Sequence, residues 1–305
     1  MPKCILTRED KEEILLKSDK FTAKQLAEQY GCSRSTILKL WMDHNYHKPL
    51  GFSYYVDNDY FSKINTANKA YIVGLIASDG NVYKRKGHQG QIRFCFQNGS
   101  SEYNLLKCIL NDMQATHPIK KETRTNNNQE YEYISATIVS EQIYNDLLNI
   151  GIIPQKTWSM NIGNIMSNIP KEFIRDFLRG YFDGDGSITN SEKNLNKPSY
   201  IHINIAMPLN NAKVLGEYLS SLNIFTKPTE DKREYKHSFC TLCFFGVNKY
   251  IFLKWIYYED CLCLNRKSQL ASHYCQLIEN NVTNRSENIK VINQYNEFIN
   301  TTQND

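Results

Sequence analysis

The chain has 305 residues, of which 41% are hydrophobic and 22% charged, and this length is sufficient for two or three domains with a substantial core. A formal net charge of +4 is too small to indicate nucleic-acid binding by itself, and nine cysteines without regular spacing favour reduced thiols over disulfides or a zinc site. The charged N-terminal segment and the lack of long apolar runs exclude a secretory signal and a membrane span, so we expect a soluble intracellular protein.

Residues 1–48 are predicted to form a small all-α helix-turn-helix domain. A first helix is expected at residues 8–17, Gly31 occupies the turn of a second helical pattern, and Ser33 is a good N-cap for the helix that follows. In a DNA-binding helix-turn-helix that last helix enters the major groove. The side chains it would present are Arg34, Ser35, Thr36 and Lys39. The alternative is a helical bundle that only packs on its neighbour. Residues 49–60 are expected to form a linker.

Two short segments of the chain resemble each other. AYIVGLIASDG, residues 70–80, recurs in altered form as FLRGYFDGDG, residues 177–186. Each is apolar and too short to span a bilayer, and each is closed by a glycine of the kind that terminates helices, so we predict two buried helices. Each helix then ends in a carboxylate, Asp79 or Asp185, at the negative end of its dipole.

Small residues on both predicted helices indicate that the helices pack against each other. Gly74 and Gly180 lie in the middle of the two segments and would allow the backbones to approach closely. Such a packing brings Asp79 and Asp185 together at one end of the helix pair. Paired carboxylates that bind divalent metal indicate chemistry at phosphoryl oxygens.

Segments in which apolar and polar residues alternate, as in half-buried strands, follow each of these helices. QIRFCFQ at residues 91–97, a run near 131–139 and a run near 200–206 place isoleucine and phenylalanine on one face and polar residues on the other. A strand ribbon with a polar face fits the major groove of DNA. By alternation, the candidate base readers are Gln91, Arg93, Tyr133, His202 and Asn204. The basic run after the first segment adds candidate phosphate contacts at Lys84, Arg85 and Lys86.

The order of predicted elements is the same in both halves of the chain. We expect αββαββα at residues 61–165 and again at residues 166–277, which makes an α+β fold of tandem pseudo-twofold repeats. Residues 278–305 are a polar C-terminal tail, for which a docking helix and disorder both remain open.

Both segments resemble the LAGLIDADG motif of homing endonucleases, in the single-chain type that carries two copies. The first copy is Ile72 through Gly80, and the second is Leu178 through Gly186. The resemblance covers roughly residues 52 to 275. It implies the LAGLIDADG fold, with saddle-shaped DNA-binding sheets, and a monomer that cuts both strands of a long asymmetric DNA target. It also implies Mg²⁺ at the two aspartates, with Mn²⁺ as an alternative.

The resemblance also assigns roles to three further residues. Lys156 and Lys267 match the basic residue that the family places near each catalytic acid, and Gln97 matches a position that orders water near the metals. The counterpart of Gln97 in the second half is expected to be Ala206. The first motif has Ala77 at its sixth position, where the family usually has Asp.

Two other functions are compatible with the same fold. One is a transcriptional regulator that binds DNA without cleaving it, although the presence of both acids favours the enzyme. The other is a maturase that binds intron RNA. An embedded intein is disfavoured because the chain opens Met1-Pro2 and closes Asn304-Asp305.

Overall fold

The computed structural model describes residues 6–46, 54–126, 129–154, 159–189, 201–230, 239–280 and 286–302. The described helices and strands are, in chain order, α1 Arg8–Lys17, α2 Ala23–Gln29, α3 Arg34–Asp43, α4 Ala67–Ser78, β1 Asn81–Lys84, β2 Gly90–Gln97, α5 Ser100–Asp112, β3 Lys120–Asn126, β4 Gln129–Val139, α6 Glu141–Ile150, α7 Ile162–Ser167, a 3-10 turn Lys171–Phe173, α8 Ile174–Asp185, β5 Gly186–Thr189, β6 His202–Pro208, α9 Leu209–Ser221, β7 Thr226–Glu230, β8 Phe239–Phe244, α10 Val247–Ile256, α11 Asn265–Asn280 and α12 Ser286–Thr302.

The predicted repeat is present in both halves of the chain. The elements from α4 to α6 follow the order αββαββα, and so do those from α8 to α10. Each half holds one four-stranded antiparallel sheet, with strand orders β1-β2-β4-β3 and β5-β6-β8-β7. The fold-class prediction is therefore confirmed. None of the described helices combines the length and the apolar character that a bilayer span requires.

One face of each sheet is buried against helices. Along the central strands, side chains alternate between buried and partly exposed positions, as the sequence predicts. The buried side chains are Ile92, Phe94, Phe96, Ile134, Ala136, Ile138, Ile203, Ile205, Met207, Cys240, Leu242 and Phe244. The opposite faces carry the polar side chains, so both sheets leave one face for a partner.

The helices α4 and α8 pack with their backbones in direct contact. A β-carbon built on Gly74 would lie 2.0 Å from the carbonyl oxygen of Phe177. One built on Gly180 would lie 1.9 Å from the carbonyl oxygen of Tyr71. Both distances are far below van der Waals contact, so only glycine fits at these two positions.

The helix α8 is less apolar than the sequence predicts, because it buries three charged residues. Arg179 donates to Asp176 at 2.8 Å and to the carbonyl oxygen of Leu262 at 2.8 Å. Asp176 also accepts a hydrogen bond of 2.7 Å from the hydroxyl of Tyr258. These bonds compensate the desolvation of the two charges, which is costly when a buried ion is left without partners. The third residue, Asp183, belongs to the candidate site.

The N-terminal helices α1, α2 and α3 form a separate small core, and they dock on the loop between α5 and β3. Gln25 donates to the carbonyl oxygen of Thr116 at 2.6 Å, and the Thr116 hydroxyl donates to the carbonyl oxygen of Lys20 at 2.8 Å. The Lys20 ammonium also lies 4.8 Å from the ring centroid of Tyr55. Hydrogen bonds thus hold this unit against the first repeat, in addition to the covalent connection. Val56 and Tyr60 of the expected linker are buried in the main core.

Acidification should weaken this docking region through His117. Its imidazole is 9% exposed, and burial lowers the pKa of His117 from 6.5 to about 4. The unfolded chain therefore binds more protons between these two pH values, and stability falls as the pH decreases through this window. In urea unfolding, His117→Phe should lose less stability than the wild type between pH 6.5 and 4. The exposed His88 provides the control, since His88→Gln should follow the wild type.

Residues 286–302 of the predicted tail form the helix α12, which packs on the second repeat and so favours the docking-helix alternative. The helix α11 continues past residue 278 to Asn280, and α12 follows. Phe298 is 5% exposed, and its ring centroid lies 5.7 Å from the ring centroid of Trp255 on α10. Aromatic residues at helical spacing thus attach α12 to the second repeat.

Candidate active site

The two motif aspartates lie at the same end of the packed helices α4 and α8. Asp79 is the C-cap residue of α4, and Asp185 is the last residue of α8. The carboxyl carbon of Asp79 lies 3.3 Å from the place that a β-carbon on Gly184 would occupy. Since Gly184 directly precedes Asp185, the close packing of the helices brings both acids to one end of the pair.

The glycines that close the two helices serve a different purpose from the one predicted. Gly186 has φ −78° and extended geometry, so it does not adopt the left-handed conformation of a helix-terminating glycine. A β-carbon there would lie 2.3 Å from the ring of Phe182. Gly80 is similarly close to Ile76, at 2.7 Å from its α-carbon. Lack of space, rather than backbone conformation, requires glycine after each aspartate.

Lys267 on α11 reaches the end of α8 and is 5% exposed. Its ammonium lies within hydrogen-bond distance of four carbonyl oxygens, at 2.9 Å from Phe182, 2.7 Å from Asp183, 3.2 Å from Gly184 and 2.6 Å from Gly186. Burial lowers the pKa of Lys267 to about 8, and the charges of Asp183, Asp79 and Asp185 oppose this decrease. The lysine therefore places a cation at the negative end of the α8 dipole, beside both motif aspartates.

Asp183, the sixth residue of the second motif, has a structural position that the sequence does not reveal. Its carboxylate is buried and accepts hydrogen bonds from the hydroxyls of Tyr71 and Tyr257, at 2.8 and 2.6 Å, and from the backbone of Leu264 at 2.7 Å. Burial raises the pKa of Asp183, and these hydrogen bonds oppose the increase. The carboxylate thus links α4, α8 and the segment before α11. The first motif has Ala77 at this position.

Tyr181, which also lies on α8, is a hydrogen-bond partner of Asp185. Burial raises the pKa of Tyr181, and the neighbouring charge of Asp185 and a hydrogen bond to it raise it further. The phenol stays protonated at neutral pH and can orient the Asp185 carboxylate. Its spacing of one helical turn from Asp185 is the signal in the sequence that indicates this contact.

The donor set at the helix ends fits a hard divalent cation. No group of three or more His, Cys, Asp and Glu side chains is placed to hold a metal within the described part of the chain. Two adjacent carboxylates match Mg²⁺ nevertheless, because this ion is often bound by one or two carboxylates together with substrate phosphates. Asp79 and Asp185 are the residues that would hold it.

The remaining residues of the predicted catalytic set are more widely spread. Gln97 is exposed at the end of β2, and Lys156 lies outside the described residues. The strand registers pair Asn81 with Arg93 and Ser187 with Asn204, and Asn81 and Ser187 each lie two residues after a motif aspartate. Arg93 of the first repeat therefore corresponds to Asn204 of the second. With the same offset along the two strands, Gln97 corresponds to Pro208. The expected counterpart Ala206 is wrong, because it corresponds to Cys95.

The predicted DNA-binding residues lie in four places. On the first sheet, Gln91, Arg93 and Tyr133 lie on the polar face, which the register of β2 and β4 sets opposite the buried side chains. His202 and Asn204 lie on the corresponding face of the second sheet. Lys84, Arg85 and Lys86 are exposed at the β1–β2 turn, and Lys84 forms an ion pair with Glu141. On α3, Arg34, Ser35 and Lys39 are exposed and Thr36 is partly exposed.

The turn between α2 and α3 has the geometry that the sequence indicates. Gly31 adopts φ +61°, a conformation that side chains with a β-carbon rarely take. The Ser33 hydroxyl accepts a hydrogen bond of 3.1 Å from the backbone of Thr36 and so caps α3. The hydrogen bonds that dock this unit come from Lys20 and Gln25, which leaves the exposed side of α3 outside that interface.

Comparison with known proteins finds a similarity to a known family in the second half. Residues 172–256 match the family model of the LAGLIDADG-like domain. An uncharacterized protein of Methanocaldococcus jannaschii is 33% identical over 134 residues, which cover 42% of this chain and 14% of that protein. The homing endonuclease I-WcaI, solved with its DNA recognition sequence, has a TM-score of 0.48 at 14% identity, and the match covers 68% of this chain and 88% of that one. I-DmoI, solved with DNA and Ca, has a TM-score of 0.42 at 16% identity, and the match covers 71% and 99%.

Proposed function

We propose that this chain, whose residues 172–256 match the model of the LAGLIDADG-like domain, is a site-specific endonuclease that cuts both strands of double-stranded DNA. The observation that carries the proposal is the meeting of Asp79 and Asp185 at the ends of two helices in backbone contact. Both halves lie on one chain and differ in sequence, so the proposed enzyme acts as a monomer on a target without palindromic symmetry.

Divalent metal is the proposed cofactor, with Mg²⁺ preferred and Mn²⁺ as an alternative. Asp79 and Asp185 would hold it, and it would supply activation of the attacking water and stabilisation of the leaving oxygen. Tyr181 orients the carboxylate of Asp185, and Lys267 offsets negative charge where the phosphate enters. Gln97 and Lys156 remain proposed contributors on the side of the first repeat.

The polar faces of the two sheets are the proposed DNA contacts. A twisted antiparallel sheet with one free face fits into the major groove, and two such sheets cover two successive groove segments. The exposed basic residues of the β1–β2 turn, Arg85 and Lys86, lie at the edge of the first sheet and are placed to contact phosphate.

The N-terminal unit is proposed to extend the DNA-binding surface through α3. Replacing Arg34 and Lys39 together by alanine should lower DNA affinity and reduce the slope of log affinity against log salt by ~0.9 for each phosphate that is no longer neutralised. Titrations monitored by fluorescence anisotropy at several salt concentrations measure this slope. Lys11 and Lys24 are also exposed but lie outside α3. Their double alanine variant should keep the wild-type slope, and equal slopes for all three proteins would contradict the assignment.

The proposed activity can be tested on a target that the protein itself selects. Purified protein enriches duplexes from a randomised DNA library in EDTA, and the enriched sequence is cloned into a supercoiled plasmid. With Mg²⁺ the protein should linearise this plasmid and leave a plasmid with a scrambled site intact. Tight sequence-specific binding without strand cleavage would instead assign the chain as a DNA-binding regulator.

A further inference from the structure

The polar face of the first sheet contains an acidic residue, Glu122 on β3. Arg93 on β2 donates through Nη2 to both oxygens of this carboxylate, each at 2.6 Å. Arg124 approaches it at 3.3 Å, and the Ser135 hydroxyl donates to it as well. The register pairs Glu122 with Tyr133, which confirms that its side chain belongs to the polar face.

A carboxylate on a surface that binds DNA is unfavourable unless it has a specific purpose, because the phosphate groups repel it and overall binding becomes weaker. The hydrogen bond from Ser135 and those from the two arginines lower the pKa of Glu122, so it stays ionised at neutral pH. The side chains of Glu122 and Arg93 are 30% and 31% exposed, so a DNA base can reach the pair.

The geometry of the pair restricts what Arg93 can do. Both of its hydrogen bonds to Glu122 come from Nη2, and its buried Nε has no hydrogen-bond partner. A guanidinium held in this way cannot turn freely towards a phosphate. Its remaining accessible donors are the two N–H groups of Nη1, and guanine, with acceptors at O6 and N7 in the major groove, is the base that arginine characteristically reads.

We propose that Arg93 reads one guanine in the major groove and that Glu122 is the positioning residue that directs it there. The proposal rests on the DNA-binding function proposed above and names a base that the first repeat recognises. The second repeat differs at this point, because the registers place Asn204 where the first repeat has Arg93. Asparagine characteristically pairs with adenine, so the two half-sites should differ at the corresponding base pair.

The test compares the base preferences of variants of the full chain. Each protein selects duplexes from the same randomised library in EDTA, and sequencing gives the preference at every position. The wild type should prefer G·C at one position of one half-site by about tenfold or more. Arg93→Ala should lose this preference, and Glu122→Gln should reduce it by about tenfold at the same position and nowhere else.

A matched control removes an equal charge from the opposite side of the sheet. Glu130 on β4 is exposed and pairs with Thr125, so its side chain does not share the polar face with Glu122. Glu130→Gln should keep the wild-type preference. An unchanged profile in Glu122→Gln, or a uniform change of affinity for all sequences, would overturn the positioning role while sequence-specific binding stands. If the wild type enriches no sequence, the proposed function itself fails.

Discussion

Asp79→Asn and Asp185→Asn should each abolish linearisation of a plasmid that carries the target, with little change in DNA affinity. The substitution keeps the shape of the side chain and removes the charge that a divalent cation requires. The rate of double-strand cleavage should fall by at least about 100-fold, because groups that merely orient metal ligands already cost about 10- to 100-fold when mutated. Agarose gels separate supercoiled, nicked and linear plasmid and so report cleavage of one or both strands.

The control for these variants is Asp59→Asn, which removes an exposed aspartate outside the candidate site. It should cleave like the wild type. Binding measured in parallel separates a catalytic defect from a failure to fold. Double-strand cleavage at the wild-type rate by either Asp79→Asn or Asp185→Asn would remove these residues from the mechanism.

Gly180→Ala should destabilise the fold strongly, by about 3 kcal/mol, because the new methyl group has no space. Its carbon would lie 1.9 Å from the carbonyl oxygen of Tyr71, and the backbones of α4 and α8 would have to separate. Urea unfolding followed by circular dichroism measures the change in the free energy of unfolding. The fraction of this variant that still folds should also lose cleavage activity, because the separation of α4 and α8 moves Asp79 away from Asp185.

Gly216→Ala on α9 is the matched control for this substitution. A β-carbon there would lie 3.4 Å from the Thr226 hydroxyl, which is ordinary contact. Since alanine favours a helix over glycine by up to about 1 kcal/mol, this variant should be as stable as the wild type or more stable. Equal effects of the two substitutions would show that the close approach of the helices does not limit stability.

The elements that the sequence predicts well are those with apolar periodicity. Helices α4 and α8 are recognisable from their apolar residues, β2 from strict alternation and β4 from a looser alternation, because burial selects the same side chains that define the period. The edge strands are harder to locate. The sequences of β3 and β7, KKETRTN and TKPTE, contain no aliphatic or aromatic residue, so alternation gives no signal.

The site can be predicted from the sequence only in its outline. The motif places Asp79 and Asp185 together, since a local repeat encodes the close packing of two helices. The hydrogen bonds of Lys267, Asp183 and Glu122 depend on segments distant in sequence, so no spacing rule reveals them. The correspondence of Gln97 with Pro208 rather than Ala206 also requires the strand register. The docking of the N-terminal unit on the loop before β3 involves only common polar groups and leaves no pattern in the sequence.

The proposed mechanism requires Asp79 and Asp185 to bind divalent metal jointly at the ends of α4 and α8. Crystals of the full chain with its selected DNA and Mn²⁺ allow the metal to be located by anomalous scattering. Anomalous peaks are expected at about 2.0–2.6 Å from carboxylate oxygens of both aspartates, next to the phosphates that are cut. Peaks at other residues, or carboxylates of Asp79 and Asp185 that face away from the DNA, would contradict it.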